Sequence, residues 1–368
     1  MSRLSLLASQ KDRTRDTLNL LFGECYWCSN CIVAVLAFTA LVGALPGKKS
    51  RSSYEELIEQ EAEYWGIQAE SAIKQGYSPD LEKPFRRAII ESIWDDSELN
   101  MMVRGKYISR ILEYCSDKPQ HLDCLELCCG MGVLSLEASR RGARVTGIDV
   151  SQRSIEIACR YARDLGIPSE TLQYRVCDLN SISLPVGKFD VVLAWDGLHH
   201  IAEIEHLVGE VGRSLKHGGV FVVHDHVKGK AVLENAFRAM ITAALSLIIP
   251  REPGVWTRFK EIGGGFVRKA RSTSINNLQC LDSPFEDISG ESIVRSIVSN
   301  FNVLEFERYL SLPESLYARV GRDPEVRTRT VGLLLTLDRL LSNLHILRPE
   351  YFFIVAEKKV ASNDRVYL

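Results

Sequence analysis

Residues 122–150, LDCLELCCGMGVLSLEASRRGARVTGIDV, have the pattern of a strand, a glycine turn, a helix and a second strand. The apolar run 122–127 has the length of a buried strand, and Gly130 and Gly132 allow a turn tight enough for the backbone to approach a ligand. The second strand ends at Asp149. This pattern predicts the nucleotide-binding half of an open α/β sheet, in which ligands lie beyond the carboxyl ends of the strands.

The glycines alone do not identify the ligand, because the third small residue of a NAD-binding fingerprint is replaced by Ser135 here. Further motifs follow in order. They are Glu126-x-x-x-Gly130-x-Gly132, GIDVS at 147–151, VCDL at 176–179, FDVVLAWDGLHH at 189–200 and LKHGGVFVV at 215–223. Over roughly residues 120–226 this series resembles the class I S-adenosylmethionine (SAM) dependent methyltransferases, most closely the small-molecule branch that includes the ubiquinone and menaquinone methyltransferases.

The resemblance implies an α/β fold with a Rossmann-like seven-stranded sheet, mostly parallel, whose last strand is antiparallel. The apolar pattern predicts strands at Leu122–Leu127, Val145–Ile148, Leu172–Cys177, Phe189–Ala194, Val220–His224, Asn302–Tyr309 and Tyr351–Lys358. It predicts helices at Glu55–Trp65, Pro84–Trp94, Val133–Ser139, Ile155–Leu165, Ile204–Leu215, Ala231–Ile249 and Thr330–Leu347. The expected domains are an N-terminal segment (1–50), a helical lid (51–115) and a methyltransferase domain (116–360) with insertions at 227–300 and 310–348.

The resemblance also implies SAM as the cofactor and assigns its contacts. Glu126 would lie near the sulfonium or amino end of SAM, Asp149 would accept both ribose hydroxyls, and Asp178 would accept the adenine amino group. The other implied contacts are Leu127, Cys128, Gly130, Gly132, Val150, Cys177, Leu179 and Trp195. Alternatively, Asp149 could cap the following helix together with Ser151.

Cys128 departs from the family, which usually has a glycine at this position. Its side chain must either point away from the cofactor or narrow the cofactor pocket.

Histidines are the candidate catalytic residues, because a hydroxyl acceptor would need a base that works near neutral pH. The candidates are His199 and His200 after the fourth strand, and His224 and His226 at the end of the fifth. We expect His200 first and His226 second. Adjacent strand residues face opposite sides, so at most His224 and His226 converge, and no metal site is predicted. An acceptor that is already nucleophilic would need alignment alone.

The expected acceptor is a small molecule that the insertions recognise, and both a lipophilic and an anionic acceptor fit the sequence. The stretch from 251 to 271 is basic and contains Arg251, Arg258, Lys260, Arg268, Lys269 and Arg271. It could be a solvated loop or a clamp for an anionic group.

The N-terminal stretch Cys25–Gly47 carries no charge and is about long enough to span a bilayer, with Lys48 and Lys49 following it. Membrane association through this stretch is therefore expected, with the catalytic domain facing the cytosol, where SAM is supplied. An overextended translation start is the alternative. Cys25, Cys28 and Cys31 have a metal-like spacing but no evident fourth ligand.

Composition excludes some functions. The 368 residues carry a formal net charge of −2 and are 46% hydrophobic, which indicates a globular protein without an electrostatic footprint for nucleic acid. The ten scattered cysteines favour a reducing compartment, hence a cytoplasmic protein or one on the cytoplasmic face of a membrane. Two alternatives to a methyltransferase remain: a SAM-binding regulator without turnover, and a NAD-linked oxidoreductase, against which Ser135 and the Asp178 motif argue.

Overall fold

Seven strands form one sheet. The computed structural model describes residues 53–87, 90, 92–116, 121–228, 232–249 and 283–359. The strands are β1 (Asp123–Leu127), β2 (Arg144–Asp149), β3 (Leu172–Val176), β4 (Phe189–Trp195), β5 (Leu215–His226), β6 (Phe301–Tyr309) and β7 (Tyr351–Lys358). Their order is β3-β2-β1-β4-β5-β7-β6, and of these strands β7 alone runs antiparallel to its neighbours. The predicted Rossmann-like seven-stranded sheet is confirmed.

The central strands are buried on both faces, which explains their continuous apolar sequence. In β1, Leu125 and Leu127 pack into the apolar cluster on one face, whereas Cys124 packs into the cluster on the other. In β4, Val192 belongs to the first cluster and Val191 to the second. Because side chains alternate in this way, apolar clusters cover both faces of the sheet. A ligand can therefore bind only at the ends of the strands.

Helices connect and flank the strands. They are α1 (Tyr54–Lys74), α2 (Ser97–Tyr114), α3 (Val133–Arg140), α4 (Gln152–Asp164), α5 (Ile204–Ser214), α6 (Val232–Ile248), α7 (Ser292–Asn300), α8 (Glu314–Tyr317) and α9 (Pro324–Asn343). Short 3₁₀ turns occur at Ile93–Asp95 and Leu198–His200. The N-cap of α4 is Ser151, whose side chain accepts the N–H of Ser154, and Oδ1 of Asp149 accepts the N–H of Ser151.

The helix predicted at Pro84–Trp94 is wrong. The N–H of Phe85 donates to Oγ of Ser97 at 2.9 Å, and the N–H of Ser97 donates to the Phe85 carbonyl at 2.8 Å, which holds this segment extended. Arg86 forms an isolated antiparallel bridge with Asp96. The carboxylate of Asp96 accepts the N–H groups of Glu98 and Leu99, so the helix begins after it, as α2.

Two helices differ from the prediction by more than one turn at an end. α1 continues to Lys74 and ends before Gly76, whose φ is +88°. α9 begins at Pro324 because the side chain of Asp323 caps it by accepting the N–H of Val326. Among the described residues, no helix combines the length and the apolar character that a membrane span requires.

Some predictions fall outside the described residues. They are the uncharged stretch Cys25–Gly47 with its three cysteines, and the basic stretch from Arg251 to Arg271. The elements above belong to one unit that begins at Tyr54. The domain bounds 51–115 and 116–360 stay predictions.

Candidate active site

The turn between β1 and α3 brings backbone to the carboxyl edge of the sheet. Gly130 and Gly132 have φ values of +52° and +80°, a region that favours glycine. A Cβ atom on Gly132 would approach the ring of Tyr174 to 2.6 Å, so this position must lack a side chain. A Cβ atom on Gly130 would meet open space. The turn therefore leaves room for a ligand beside Gly130.

Asp149, at the end of β2, is buried behind this turn. Its Oδ2 accepts the N–H of Gly130 and its Oδ1 accepts the N–H of Ser151, each at 2.8 Å. Burial raises the pKa of Asp149, although both hydrogen bonds oppose that shift. A carboxylate oxygen has two lone pairs, so each oxygen can accept a further hydrogen bond. The carboxylate is thus able to bind a pair of hydroxyl groups.

Glu126 and Ser135 form a buried pair beside the turn. Oγ of Ser135 donates a hydrogen bond to Oε2 of Glu126, and Glu126 is only 3% exposed. Burial raises the pKa of Glu126 to about 7 despite this hydrogen bond. Ser135, which distinguishes the turn from a NAD fingerprint, therefore holds an acid that is partly protonated near neutral pH. Leu127, the next residue, lies in the core.

Cys128 fills the gap between the ends of β1 and β4. Its φ is +53°, in the region that favours glycine. A Cβ atom on Gly197, which follows β4, would lie 2.9 Å from Sγ of Cys128. Burial raises the pKa of the Cys128 thiol well above its usual range. The side chain of Cys128 therefore lies against Gly197, and whether it narrows the cofactor pocket stays a prediction.

Asp178, which follows β3, is in contact with α1. Oη of Tyr54 donates to its Oδ2 at 2.8 Å, and the N–H of Asn180 donates to its Oδ1 at 2.9 Å. Burial alone would raise the pKa of Asp178, but the hydrogen bonds outweigh it and the net shift is downward. Cys177 is partly buried and Leu179 lies in the core. The hydroxyl of Tyr54 thus donates to the Asp178 carboxylate, which the resemblance expects to accept the amino group of adenine.

α1 also reaches the histidines that follow β4. Oε1 of Glu61 lies 3.1 Å from Nδ1 of His200, and Oγ of Ser283 donates to Oε2 of Glu61 at 2.7 Å. Burial alone would raise the pKa of Glu61, but its contacts with His200 and Ser283 lower it. The edge of the ring of Trp65 packs on His200, with centroids 5.1 Å apart. α1 therefore covers the carboxyl edge from Asp178 to His200.

His199 and Asp225 form a buried pair across β4 and β5. Nδ1 of His199 lies 2.6 Å from Oδ1 of Asp225, whose Oδ2 accepts the N–H of Leu198 at 2.7 Å. The side chain of Asp225 is fully buried. A carboxylate that accepts from Nδ1 fixes the imidazole in the tautomer with a free Nε2 lone pair. His199 is therefore held with Nε2 as its available atom.

His224 belongs to a separate group on the β6 and β7 side. Its Nε2 contacts Oη of Tyr309, and its Nδ1 lies 3.1 Å from Oδ1 of Asp196. Asp196 pairs in turn with Arg104, which is buried in α2. The ring of Trp195 stacks on His224 with centroids 3.9 Å apart. Because His224 is fully enclosed, its side chain does not face an open pocket.

The other three histidines form one cluster. The ring centroid of His199 lies 4.1 Å from that of His200 and 4.0 Å from that of His226. Strand alternation predicts that at most His224 and His226 converge, whereas in the structure His226 meets His199. The reason is the register, which pairs Trp195 with His224 and so places the turn after Trp195 beside the end of β5.

Several residues of the site were not predicted. They are Tyr54, Glu61, Arg104 and Ser283. None of them lies in a motif. The available signal was a polar residue on an otherwise buried helix face, as for Glu61 and Arg104, and this pattern does not name its partner.

Comparisons with known proteins find a methyltransferase domain in part of the chain. A family model described as a methyltransferase domain matches residues 124–219. These residues form a class I SAM-dependent methyltransferase domain. The chain is 34% identical over 117 residues to a ubiquinone biosynthesis O-methyltransferase of Methylocella silvestris, covering 32% of this chain and 42% of that protein. It is 27% identical over 203 residues to the Methylobacterium nodulans protein of the same name, covering 50% and 78%.

Among solved structures, the chain is similar to geranyl diphosphate C-methyltransferase from Streptomyces coelicolor, with a TM-score of 0.49 and 15% identity over 84% of this chain and 100% of that one. The chain spans less than half the length of several of the curated relatives it matches. Its acceptor is therefore a matter for proposal.

SAM is the cofactor of this family, and the residues at the ends of β1, β2 and β3 fit it. Asp149 keeps an accepting lone pair on each oxygen, and the turn at Gly130 borders open space. SAM supplies an electrophilic methyl group on a sulfonium. The individual contacts assigned to Glu126, Asp178 and their neighbours stay predictions.

Proposed function

We propose that the chain transfers the methyl group of SAM to an oxygen, nitrogen or carbon atom of a small-molecule acceptor. One observation carries the proposal: the carboxyl edge of the sheet has an acidic part beside a histidine part. The acidic part consists of Glu126, Asp149 and Asp178, and the histidine part of His199, His200 and His226. The acidic part suits SAM, and the histidine part suits an acceptor that must lose a proton.

We further propose that the acceptor is a hydroxyl compound and that His200 is its general base. Glu61 and Ser283 hold His200 through Nδ1, at 3.1 and 3.2 Å, so Nε2 is the atom left to take a proton. The rest of the protein aligns the acceptor for in-line attack and excludes water.

The test uses the purified full chain with methyl-labelled SAM and cell extract, and mass spectrometry identifies the labelled product. His200→Gln should lower turnover by about 10²-fold and leave SAM affinity unchanged. His206→Gln is the matched control, because His206 is exposed and contacts the Ile182 carbonyl, away from the cluster. SAM binding without any labelled product would contradict catalysis and favour a SAM-dependent regulator.

Another result would leave methyl transfer standing but would exclude a histidine as the base. If His199→Gln, His200→Gln and His226→Gln all keep turnover within a few-fold of the parent, no histidine acts as a base. The acceptor would then be an amine, thiol or activated carbon that is nucleophilic without deprotonation.

We also propose that the stretch Cys25–Gly47 holds the chain at a membrane, with the methyltransferase domain in the cytosol. Its support is the uncharged sequence followed by Lys48 and Lys49. Membrane fractionation of the full chain and of a chain without residues 1–50 tests it. If the full chain stays in the soluble fraction after a salt wash, the anchor proposal fails.

A further inference from the structure

The histidine cluster brings three ligand atoms together. A ring nitrogen of His199, a ring nitrogen of His226 and a carboxylate oxygen of Glu286 all lie within 4.8 Å of one another. These residues come from the turn after β4, the end of β5 and the segment before α7, so three parts of the backbone position them. We propose that these side chains form a binding site for a divalent transition-metal ion.

The first support is a set of buried atoms without partners. Nδ1 and Nε2 of His226, and Oδ1 of Asp287, are buried and make no hydrogen bond within the described part of the chain. Nε2 of His226 lies 3.2 Å from Oδ1 of Asp287, but the two atoms are not aligned for a hydrogen bond. A buried polar atom without a partner costs about 1–3 kcal/mol. A metal ion bound to one nitrogen of His226 would remove that cost for the bound nitrogen.

The second support is the way His199 is held. Asp225 accepts from Nδ1 of His199 at 2.6 Å and is itself fixed by the N–H of Leu198. A carboxylate behind the Nδ1 atom of a histidine that binds metal through Nε2 is the usual outer-shell arrangement of such sites. Asp196 and Asp225 also lie within reach of His226. Asp196 is already paired with Arg104, and Asp225 with His199. The proposed ligands are therefore His199, His226 and Glu286.

The third support is charge. Nζ of Lys228 lies 2.7 Å from Oε1 of Glu286 and 2.7 Å from Oδ2 of Asp287, which leaves the other oxygen of each carboxylate facing the histidines. Asp225 adds a third carboxylate to the group. Three carboxylates against the single ammonium of Lys228 leave two negative charges, and a divalent cation balances them.

The ligand types select the class of ion. Two imidazoles and one carboxylate favour zinc, iron, cobalt or nickel over magnesium, which prefers oxygen ligands. Three protein ligands leave a coordination position open. Taken together with the proposed function, that position would bind an oxygen of the acceptor and make its hydroxyl more acidic. Oε2 of Glu286 lies 3.6 Å from Nε2 of His200. An acceptor oxygen bound to the metal would therefore lie beside His200, the proposed base.

The experiment uses full-length protein without an affinity tag, stripped with a chelator and then titrated. Calorimetry with Zn²⁺ and visible absorption with Co²⁺ should each report one ion per chain. His226→Ala and Glu286→Gln should weaken binding by about tenfold or more, and Asp225→Asn by about 10- to 100-fold through its effect on His199. His206→Ala, outside the cluster, should bind the ion as the parent does. Mg²⁺ should not displace the ion.

Two results would overturn the metal site: no binding of Zn²⁺ or Co²⁺ by the parent, or binding that His226→Ala and Glu286→Gln leave unchanged. SAM affinity, measured on every variant, reports whether the fold is intact. Glu286→Gln keeps the test decisive if His226→Ala fails to fold, because the side chain of Glu286 is 46% exposed. If the protein binds metal but transfers no methyl group, the metal site stands and the proposed function is refuted. If the protein binds no ion but transfers the methyl group, the proposed function stands and the metal site is refuted.

Discussion

Cys128 and Gly197 are in contact across the gap between β1 and β4, and each restricts the residue type of the other. Cys128 adopts a φ of +53°, where most proteins place a glycine. Gly197 provides the space for its side chain, since a Cβ atom there would lie 2.9 Å from Sγ. The domain therefore has a cysteine on one side of the gap and a glycine on the other.

We expect Gly197→Ala to lower the free energy of unfolding by about 1–3 kcal/mol, because the added methyl group overlaps Cys128. Cys128→Gly in the same chain should recover most of this loss. Denaturant unfolding of the parent, both single variants and the double variant measures the coupling. Additive effects of the two substitutions would contradict the contact.

Asp149→Ala should weaken SAM binding by about 1.5–3 kcal/mol, because a charged group that can pair with two hydroxyls is lost. Calorimetry with SAM and S-adenosylhomocysteine measures the change. Asp164→Ala, at the exposed end of α4, is the matched control and should bind SAM as the parent does. Tight binding of NADH with none of SAM would refute the cofactor.

Tyr54→Phe should raise SAM affinity by about 0.5–1.5 kcal/mol. The hydroxyl of Tyr54 donates to Oδ2 of Asp178, so its removal frees an acceptor for the adenine amino group. The same calorimetric titration measures the effect, with unfolding of the variant as a check on the fold. Weaker SAM binding by Tyr54→Phe would mean that the hydroxyl contributes to the cofactor site instead of competing for it.

The stability of the protein should depend on pH through Glu126. Burial raises its pKa from 4.5 to about 7 in the folded state, so between these values the folded chain holds a proton that the unfolded chain has lost. The stabilising contribution is therefore present at low pH and disappears as the pH rises to about 7. Relative to Glu126→Gln, the parent should lose on the order of 2–3 kcal/mol of unfolding free energy over this interval. Parallel pH profiles for the two proteins would contradict this assignment.

The sheet was predictable because its strands are buried on both faces and read as continuous apolar runs. β7 has the predicted bounds, Tyr351–Lys358. α2 was missed because its buried face includes Arg104 and Gly105, which look like exposed or helix-breaking residues in sequence. Arg104 is compensated by Asp196 and Glu314, which lie 92 and 210 residues away. No local pattern contains that information.

Only the positions of some site residues were predictable. Asp149 ends β2 and Asp178 follows β3, so their places at one edge of the sheet follow from parallel topology. The position of α1 over that edge could not be predicted from the motifs, because Tyr54 and Asp178 are in contact although they are 124 residues apart in sequence. The meeting of His199 with Asp225 depends on how the turn after β4 folds beside β5, which is a property of tertiary structure.

Of the seven described strands, β7 is translated last, and it is an interior strand of the sheet. β7 lies between β5 and β6 and pairs with both, so β6 has no place in the described sheet until residues 351–358 have been synthesised. Until then a nascent chain exposes the edge of β5 and carries β6 unattached, and such edges promote aggregation. Because the first residue of β7, Tyr351, packs on His226, the histidine cluster also lacks one of its contacts until β7 is in place. A premature stop before Tyr351 is therefore expected to yield an insoluble product rather than a folded protein with reduced activity.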